Sequence, residues 1–214
     1  MRKKILITGT SSGIGKELCQ YFSKKHEVIR VSRTEGDLIG NLSSEEFRKE
    51  ILRKLRPHIF INNAAVYPDT ENPDESYQVN LMAALELAAG FSQQPNVESI
   101  INICSISPAY LGWRTTWSEL HYKVQKSALS RFSEYYNLSE LRKAKMTNLE
   151  LGFVETDFAN IRERAAREKD VFGLGYPKPM PVSRVCQTVE WILELPRDVA
   201  VGTLQLLPNK VLEG

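Results

Sequence analysis

The stretch Lys4-Ile-Leu-Ile-Thr8-Gly9-Thr-Ser-Ser-Gly13-Ile-Gly15 stands near the start of the chain and decides its fold. Its apolar run predicts a buried β-strand, and the three glycines predict a turn into a helix. In such a turn, Gly9 allows a sharp reversal, Gly13 lets the backbone approach a pyrophosphate, and Gly15 lets the helix pack closely on the strand. The free N–H groups at the helix start attract phosphates. An ordinary glycine turn is the alternative, and the position directly after the first strand favours a dinucleotide site.

Short apolar runs alternate with helix-like segments along the rest of the chain, a pattern typical of βαβ units. We therefore expect an α/β protein of one domain over residues 1–214, with a Rossmann-type doubly wound parallel sheet and helices on both faces. The predicted strands are Lys4–Thr8, Val28–Ser32, Leu38–Ile39, His58–Ile61, Ser99–Ile103, Met146–Leu151 and Thr203–Leu207. The predicted helices are Ile14–Lys25, Ser44–Leu55, Asp74–Phe91, Glu119–Leu138 and Ser183–Leu195. The irregular region 157–182, which contains a Gly/Pro cluster, is expected to be a lid loop.

Composition limits the classes to which the chain can belong. Its 214 residues suffice for a large hydrophobic core without disulfides or metal. The 28 basic and 26 acidic residues are interleaved and leave a formal charge of +2, which argues against a nucleic-acid or membrane partner. No apolar run has the length of a signal peptide core or a transmembrane helix. The widely spaced Cys19, Cys104 and Cys186 predict reduced thiols and a cytoplasmic location.

The glycine spacing, with Thr8 ahead of it, resembles the cofactor signature of the short-chain dehydrogenase/reductase family. The resemblance continues along nearly the whole chain. Asn62-Asn63-Ala64-Ala65 is similar to the family's Asn-Asn-Ala-Gly motif, with Ala65 in place of glycine. Leu151-Gly152-Phe153-Val154-Glu155-Thr156 is similar to its Pro-Gly-x-x-x-Thr motif, with Leu151 in place of proline. The resemblance implies an oxidoreductase of the NADP(H)-preferring carbonyl reductase type.

The pentapeptide Tyr122-Lys-Val-Gln-Lys126 carries the predicted chemistry. On a helix, positions i and i+4 share one face, so the phenol and the ammonium address the same volume. A neighbouring Lys⁺ favours the phenolate, which would lower a tyrosine pKa from about 10 toward neutrality. This spacing alone is common on surface helices, but Ser105 and Asn80 match further family positions in the correct order. The resemblance implies that Tyr122 is the acid/base, that Ser105 orients the carbonyl, and that Asn80 supports a water-linked proton path to Lys126.

The end of the second predicted strand indicates which nicotinamide cofactor is preferred. An acidic residue there would accept hydrogen bonds from a ribose 2′-hydroxyl, whereas Arg33 can neutralise the 2′-phosphate of NADP(H). A solvated surface arginine is the alternative, and NAD(H) is the less favoured cofactor. The full set of expected cofactor contacts is Gly9, Ser11, Ser12, Gly13, Ile14, Gly15, Ser32, Arg33, Asn41, Leu42, Asn63, Ala64, Ala65, Tyr122, Lys126, Val154 and Thr156.

Between Ser105 and Tyr122 the chain carries a long insert with two tryptophans. Aromatic side chains there would form a wall for a flat carbonyl or alcohol substrate, and loop packing or a subunit contact is an equal alternative. We therefore expect Trp113, Trp117 and Phe153 to contact substrate. His121 is interpreted as structural, and no cluster of residues with metal-ligand spacing occurs in the sequence.

The expected reaction is hydride transfer between nicotinamide and a carbonyl or secondary alcohol. A catalytically weak protein that senses dinucleotides is the alternative, and the presence of Ser105, Tyr122 and Lys126 argues against it. The family resemblance also implies a homodimer or homotetramer built through the predicted helices Asp74–Phe91 and Glu119–Leu138.

Overall fold

The computed structural model describes residues 2–69, 73–106, 116–158 and 179–208. The predicted substrate residue Trp113 and most of the predicted lid, residues 159–178, lie outside the described residues. Within the described ranges, we find no helix that combines the length and the apolar character needed to cross a membrane.

Strands and helices alternate in the order that the sequence predicts. The strands are β1 (Lys4–Thr8), β2 (Glu27–Ser32), β3 (Leu38–Ile39), β4 (Ile59–Asn62), β5 (Ser99–Ser105), β6 (Lys145–Leu151) and β7 (Thr203–Leu206). The helices are α1 (Gly13–Phe22), α2 (Glu45–Lys54), α3 (Asp74–Tyr77), α4 (Ala84–Ser92), α5 (Trp117–Leu138) and α6 (Val182–Glu194), and a π-helical segment, Gln78–Ala83, joins α3 to α4.

The seven strands form one sheet in the order β3-β2-β1-β4-β5-β6-β7, and every pairing is parallel. The chain runs outward from β1 to β3, then crosses back to place β4 on the other side of β1. The helices that follow β1 and β4 therefore cover opposite faces of the sheet, which leaves a crevice above the carboxyl ends of these two strands. The predicted doubly wound architecture is confirmed.

Two hydrophobic clusters cover the two faces of the sheet. On one face, Ile5 and Ile7 of β1 belong to a cluster with Phe22 of α1 and residues of α6. On the other face, Leu6 belongs to a cluster with Phe91 of α4 and residues of α2. Alternate residues of a strand point to opposite faces, so the continuous apolar run of β1 supplies both clusters.

The main differences from the predicted elements lie at their ends. Strand β5 continues two residues beyond the prediction, so Ser105 is its last residue. Helix α1 ends at Phe22 instead of Lys25, because the N–H groups of Lys25 and His26 both turn back to the Phe22 carbonyl. The single helix predicted over Asp74–Phe91 is divided by the π-helical segment.

Candidate dinucleotide and catalytic site

The glycine turn after β1 is fixed to the end of β4 by side-chain hydrogen bonds. The Thr8 hydroxyl accepts from the backbone N–H groups of Asn63 and Ala64, each at 3.1 Å. The Asn63 amide donates to the carbonyls of Thr8 at 2.9 Å and Gly9 at 3.2 Å. These four bonds hold the glycine turn and the Asn62–Ala65 segment together at the crevice.

Two of the three glycines occupy positions that no other residue could fill without a shift. Gly9 has φ +72°, and a Cβ there would meet Ala64 Cα at 2.7 Å. A Cβ on Gly15 would lie 2.1 Å from the Gly9 carbonyl oxygen and 2.6 Å from Asn63 Nδ2. The roles predicted for a tight turn and for close helix packing therefore have direct counterparts in the structure.

The space beside Gly13 fits a bound dinucleotide. Gly13 has φ +52°, and a Cβ there would find only the Thr156 side chain, at 3.7 Å. The start of α1 has no side-chain cap, and Ser11 and Ser12 ahead of it are exposed. Uncapped helix N–H groups bind anions well. The predicted contacts Gly13 and Thr156 thus face each other across the mouth of this turn.

The region predicted to hold the adenosine end is built by turns after β2 and β3. The Arg33 guanidinium is exposed and forms an ion pair with Glu75 of α3, with Nη1 and Oε1 3.3 Å apart. The Ser32 hydroxyl is engaged inside its own turn, donating to the Glu35 carbonyl and accepting from two backbone N–H groups. The Asn41 side chain likewise accepts from the Ser43 N–H at 3.0 Å.

A buried arginine that was not among the predicted site residues supports this region. Arg48 of α2 is 4% exposed and donates to the carbonyls of Leu42 and Ser43, each at 2.9 Å. Its guanidinium also pairs with Glu86 of α4 at 2.6 Å. Arg48 therefore anchors the loop that carries Asn41 and the buried Leu42.

The predicted catalytic helix, α5, packs against the carboxyl end of β5. Lys126 is 3% exposed, and its Nζ donates to the Ile103 carbonyl of β5 at 2.9 Å. The same Nζ lies 5.8 Å from the centroid of the Tyr122 ring. Ser105 closes β5 two residues beyond Ile103. The structure thus brings Tyr122, Lys126 and Ser105 to one end of the crevice.

The ionisation of Tyr122 differs from the simple expectation that a neighbouring lysine lowers its pKa. Burial raises the pKa of Tyr122 above its ordinary value, with further raising contributions from Cys104 and Tyr67. Burial also lowers the pKa of Lys126. The Lys126 Nζ donates to the Ile103 carbonyl, and for Tyr122 desolvation outweighs any lowering of the pKa by this lysine.

Asn80, the fourth predicted catalytic residue, lies in the π-helical segment and is fully buried. Its amide group bonds both backbone groups of Val66, accepting at 2.8 Å and donating at 2.7 Å. It also donates to Gln125 Oε1 at 2.7 Å, and Gln125 in turn donates to the Ser76 hydroxyl at 2.8 Å. Asn80 therefore ties the loop after β4 to the catalytic helix, and both N–H donors of its side chain are used by these contacts. π-Helical turns often occur at functional sites.

Two aromatic residues that sequence reasoning missed surround the Tyr122 ring. The centroid of Tyr67 lies 6.1 Å from that of Tyr122, the centroid of Phe158 lies 5.8 Å from it, and the two outer rings are 6.3 Å apart. Both missed residues follow carboxyl ends of strands, Tyr67 after β4 and Phe158 after β6. That position, combined with aromatic character, was the signal available in the sequence.

Two residues predicted to contact substrate, Trp117 and Phe153, lie on different elements of the structure. Trp117 is the first residue of α5 and is 71% exposed. The Phe153 carbonyl accepts from the Met180 N–H at 2.9 Å, which joins the loop after β6 to the segment before α6. His121 is 3.0 Å from the Tyr77 hydroxyl, consistent with a structural role. The described parts of the chain contain no cluster of residues suited to hold a metal ion.

Fold and site together define a dinucleotide-binding oxidoreductase of the doubly wound type. The model of the NAD dependent epimerase/dehydratase family matches residues 5–155, a range that contains the glycine turn, Ser105, Tyr122 and Lys126. The chain belongs to this family, and its resemblance to short-chain dehydrogenases/reductases agrees with the relatives and solved structures that it matches.

Relatives and solved structures agree with this assignment. The chain is 25% identical to serine 3-dehydrogenase of Rhizobium radiobacter, over 97% of this chain and 94% of the relative. It is 30% identical to L-xylulose reductase of Caenorhabditis elegans, over 48% of this chain and 53% of that protein. Its fold matches the 3-alpha-hydroxysteroid dehydrogenase from Pseudomonas sp. B-0831, complexed with NADH, with a TM-score of 0.79 at 18% identity, covering 95% and 94% of the two chains.

Replacing Gly15 with alanine should damage the dinucleotide site. The new methyl group would overlap the Gly9 carbonyl, so the turn must open, at a cost of about 1–3 kcal/mol. We expect dinucleotide affinity in calorimetry to fall ~10-fold or more, with a lower melting temperature. Gly202→Ala is the matched control, because its nearest neighbour would be Asn137 Nδ2 at 4.0 Å. Unchanged binding by Gly15→Ala would contradict the packing role of this glycine.

Proposed function

We propose that the protein is an NADP(H)-dependent carbonyl reductase or secondary alcohol dehydrogenase, with Tyr122 as its acid/base. The observation that carries the proposal is the juxtaposition of Tyr122 and Lys126 on α5 with the end of β5, where Ser105 lies. This group stands at the carboxyl edge of the sheet, on the same edge as the glycine turn. The oxidoreductase class agrees with the dehydrogenase and the reductase among the relatives, and the roles of individual residues are our proposal.

In the proposed reduction, each chain residue has one task. A bound NADPH supplies the hydride to the carbonyl carbon of the substrate. The Ser105 hydroxyl orients the carbonyl oxygen, and the Tyr122 phenol donates its proton to that oxygen. Burial raises the pKa of Tyr122, so the phenol carries this proton at neutral pH. Lys126 binds the nicotinamide ribose, and Asn80 holds the loop after β4 against the catalytic helix.

Tyr122→Phe should remove the proton donor and leave the dinucleotide site intact. We expect NADPH-dependent reduction of a carbonyl panel to fall by about 10²–10⁴-fold, with unchanged NADPH affinity. For the unmodified enzyme, the reduction rate should be flat near neutral pH and fall only at alkaline pH, since the raised pKa of Tyr122 keeps the acid form populated until then. Tyr135→Phe, on an exposed part of the same helix, is the control. Equal turnover by the Tyr122 variant would exclude its role as the acid.

The preference for NADP(H) rests on Arg33. Its guanidinium stands after β2, where a ribose substituent is recognised in this class of fold, and it is exposed and pairs with Glu75 through Nη1. An arginine can bind a phosphate bidentately, which a neutral 2′-hydroxyl cannot match. The Ser32 hydroxyl donates to the Glu35 carbonyl, and Arg33 is the charged contact that we assign to the 2′-phosphate.

Arg33→Ala should weaken binding of NADPH by about 10- to 100-fold, the loss expected for a charged hydrogen bond. NADH, which lacks the phosphate, should bind with less than about a twofold change. Fluorescence titration with both dinucleotides measures the two effects. The control is Arg131→Ala, which removes an exposed, ion-paired arginine from α5. Parallel losses for NADPH and NADH would show that Arg33 does not discriminate between them.

We also propose that the chain acts as one domain, works on a small molecule and assembles as a homodimer. All seven strands share one sheet, which supports the single domain. The free cysteines, Cys19, Cys104 and Cys186, are buried, which supports a reducing compartment such as the cytoplasm. Support for the dimer comes from an exposed apolar stripe on α5, formed by Trp117, Val124, Tyr135 and Leu138.

The α5 stripe repeats at helical spacing, and its most exposed member, Leu138, is 87% accessible. If the stripe is the subunit contact, Leu138→Glu should raise the dimer dissociation constant by about tenfold or more, because it places an unpaired charge in the interface. Sedimentation velocity over a concentration series measures this change. Val199→Glu, which lies outside the stripe and is 43% exposed, is the control. A monomeric parent protein, or a Leu138→Glu dimer of unchanged strength, would contradict this interface.

A further inference from the structure

The Arg33–Glu75 ion pair joins two elements that are distant in sequence. Arg33 follows β2, and Glu75 belongs to the first turn of α3. Their Nη1 and Oε1 atoms are 3.3 Å apart, and the side chains are 59% and 49% exposed. An ion pair this exposed contributes little to the free energy of folding. The position of the pair matters more, because Glu75 accepts a hydrogen bond from the guanidinium that we assign to the 2′-phosphate of NADP(H).

A phosphate monoester at this site would carry a charge of about −1.5 to −2. It would have to share Arg33 with the Glu75 carboxylate or displace it, and two anions around one guanidinium repel each other. The neutral 2′-hydroxyl of NAD(H) meets no such opposition, and a carboxylate can even accept its hydrogen bond. The Ser32 hydroxyl donates its proton to the Glu35 carbonyl, so Ser32 does not relieve the competition.

We propose that Glu75 is a specificity-determining residue that competes with the 2′-phosphate of NADP(H) for Arg33 and so limits the preference for NADP(H) over NAD(H). The inference rests on the proposed function, because it needs Arg33 to bind the phosphate. Glu75 acts on the phosphate end of the cofactor, and its effect is a change in binding affinity.

The test is calorimetric binding to the full-length chain and does not depend on turnover. The ligands are NADP⁺, NAD⁺, adenosine 2′,5′-bisphosphate and AMP, and the variants are Glu75→Gln, Arg33→Ala and the double variant. We expect Glu75→Gln to bind NADP⁺ and the bisphosphate about two- to fivefold more tightly, the range of an exposed ion pair, with NAD⁺ and AMP unchanged. In the Arg33→Ala background the same substitution should have no effect. Glu50→Gln, which removes an acid from an exposed ion pair with Lys54, is the matched control.

Each other result overturns the proposal. Weaker NADP⁺ binding by Glu75→Gln would mean that Glu75 orients Arg33, and unchanged binding would mean that the pair is irrelevant to the cofactor. Tighter binding that persists without Arg33 would mean that Glu75 acts directly on the phosphate. The Arg33→Ala variant alone tests the proposed function: if it binds NADP⁺ as tightly as the parent protein, the assignment of Arg33 fails whatever Glu75 does.

Discussion

The hydrogen bonds between Thr8 and Asn63 are the constraint on which the site depends. Strand β1 pairs with β2 on one side and β4 on the other, and the connections leave these pairs in opposite directions. The backbone pairing between β1 and β4 ends at Ile7 and Ile61. Backbone hydrogen bonds alone therefore do not hold the two sides of the crevice together above these strands. Four side-chain bonds continue the connection past the ladder. They fix the glycine turn relative to the catalytic end of the sheet.

Most of the fold followed from the sequence because each strand is a short apolar run bounded by polar or glycine-containing turns. The catalytic elements also followed, since the spacing of Tyr122 and Lys126 is a local property of one helix. Tyr67 and Phe158 could not be found in this way, because their approach to Tyr122 depends on two separate loops meeting helix α5 in space. The same limit applies to Ser32, whose hydroxyl is taken up by a turn that the sequence pattern did not indicate.

The surroundings of Tyr122 show how burial and charge compete over a single proton. Tyr122 is partly buried, and its phenolate loses more solvation there than the neutral phenol does. The nearby Lys126, whose Nζ donates to the Ile103 carbonyl of β5, does not reverse this effect. Desolvation therefore sets the direction in which the pKa of Tyr122 is shifted. Cys104 shows the same effect in simpler form, because burial raises the pKa of its thiol to about 11 and leaves it a poor nucleophile.

The π-helical segment has a geometric consequence for the long helical region that contains Asn80. A π-turn contains one residue more than an α-turn, and one residue corresponds to a rotation of ~100° about the helix axis. The segment therefore changes the phase between α3 and α4. Ser76 can face Gln125 of the catalytic helix while Phe91 still packs into the core under the sheet. An uninterrupted α-helix would turn Ser76 by about 100° relative to Phe91.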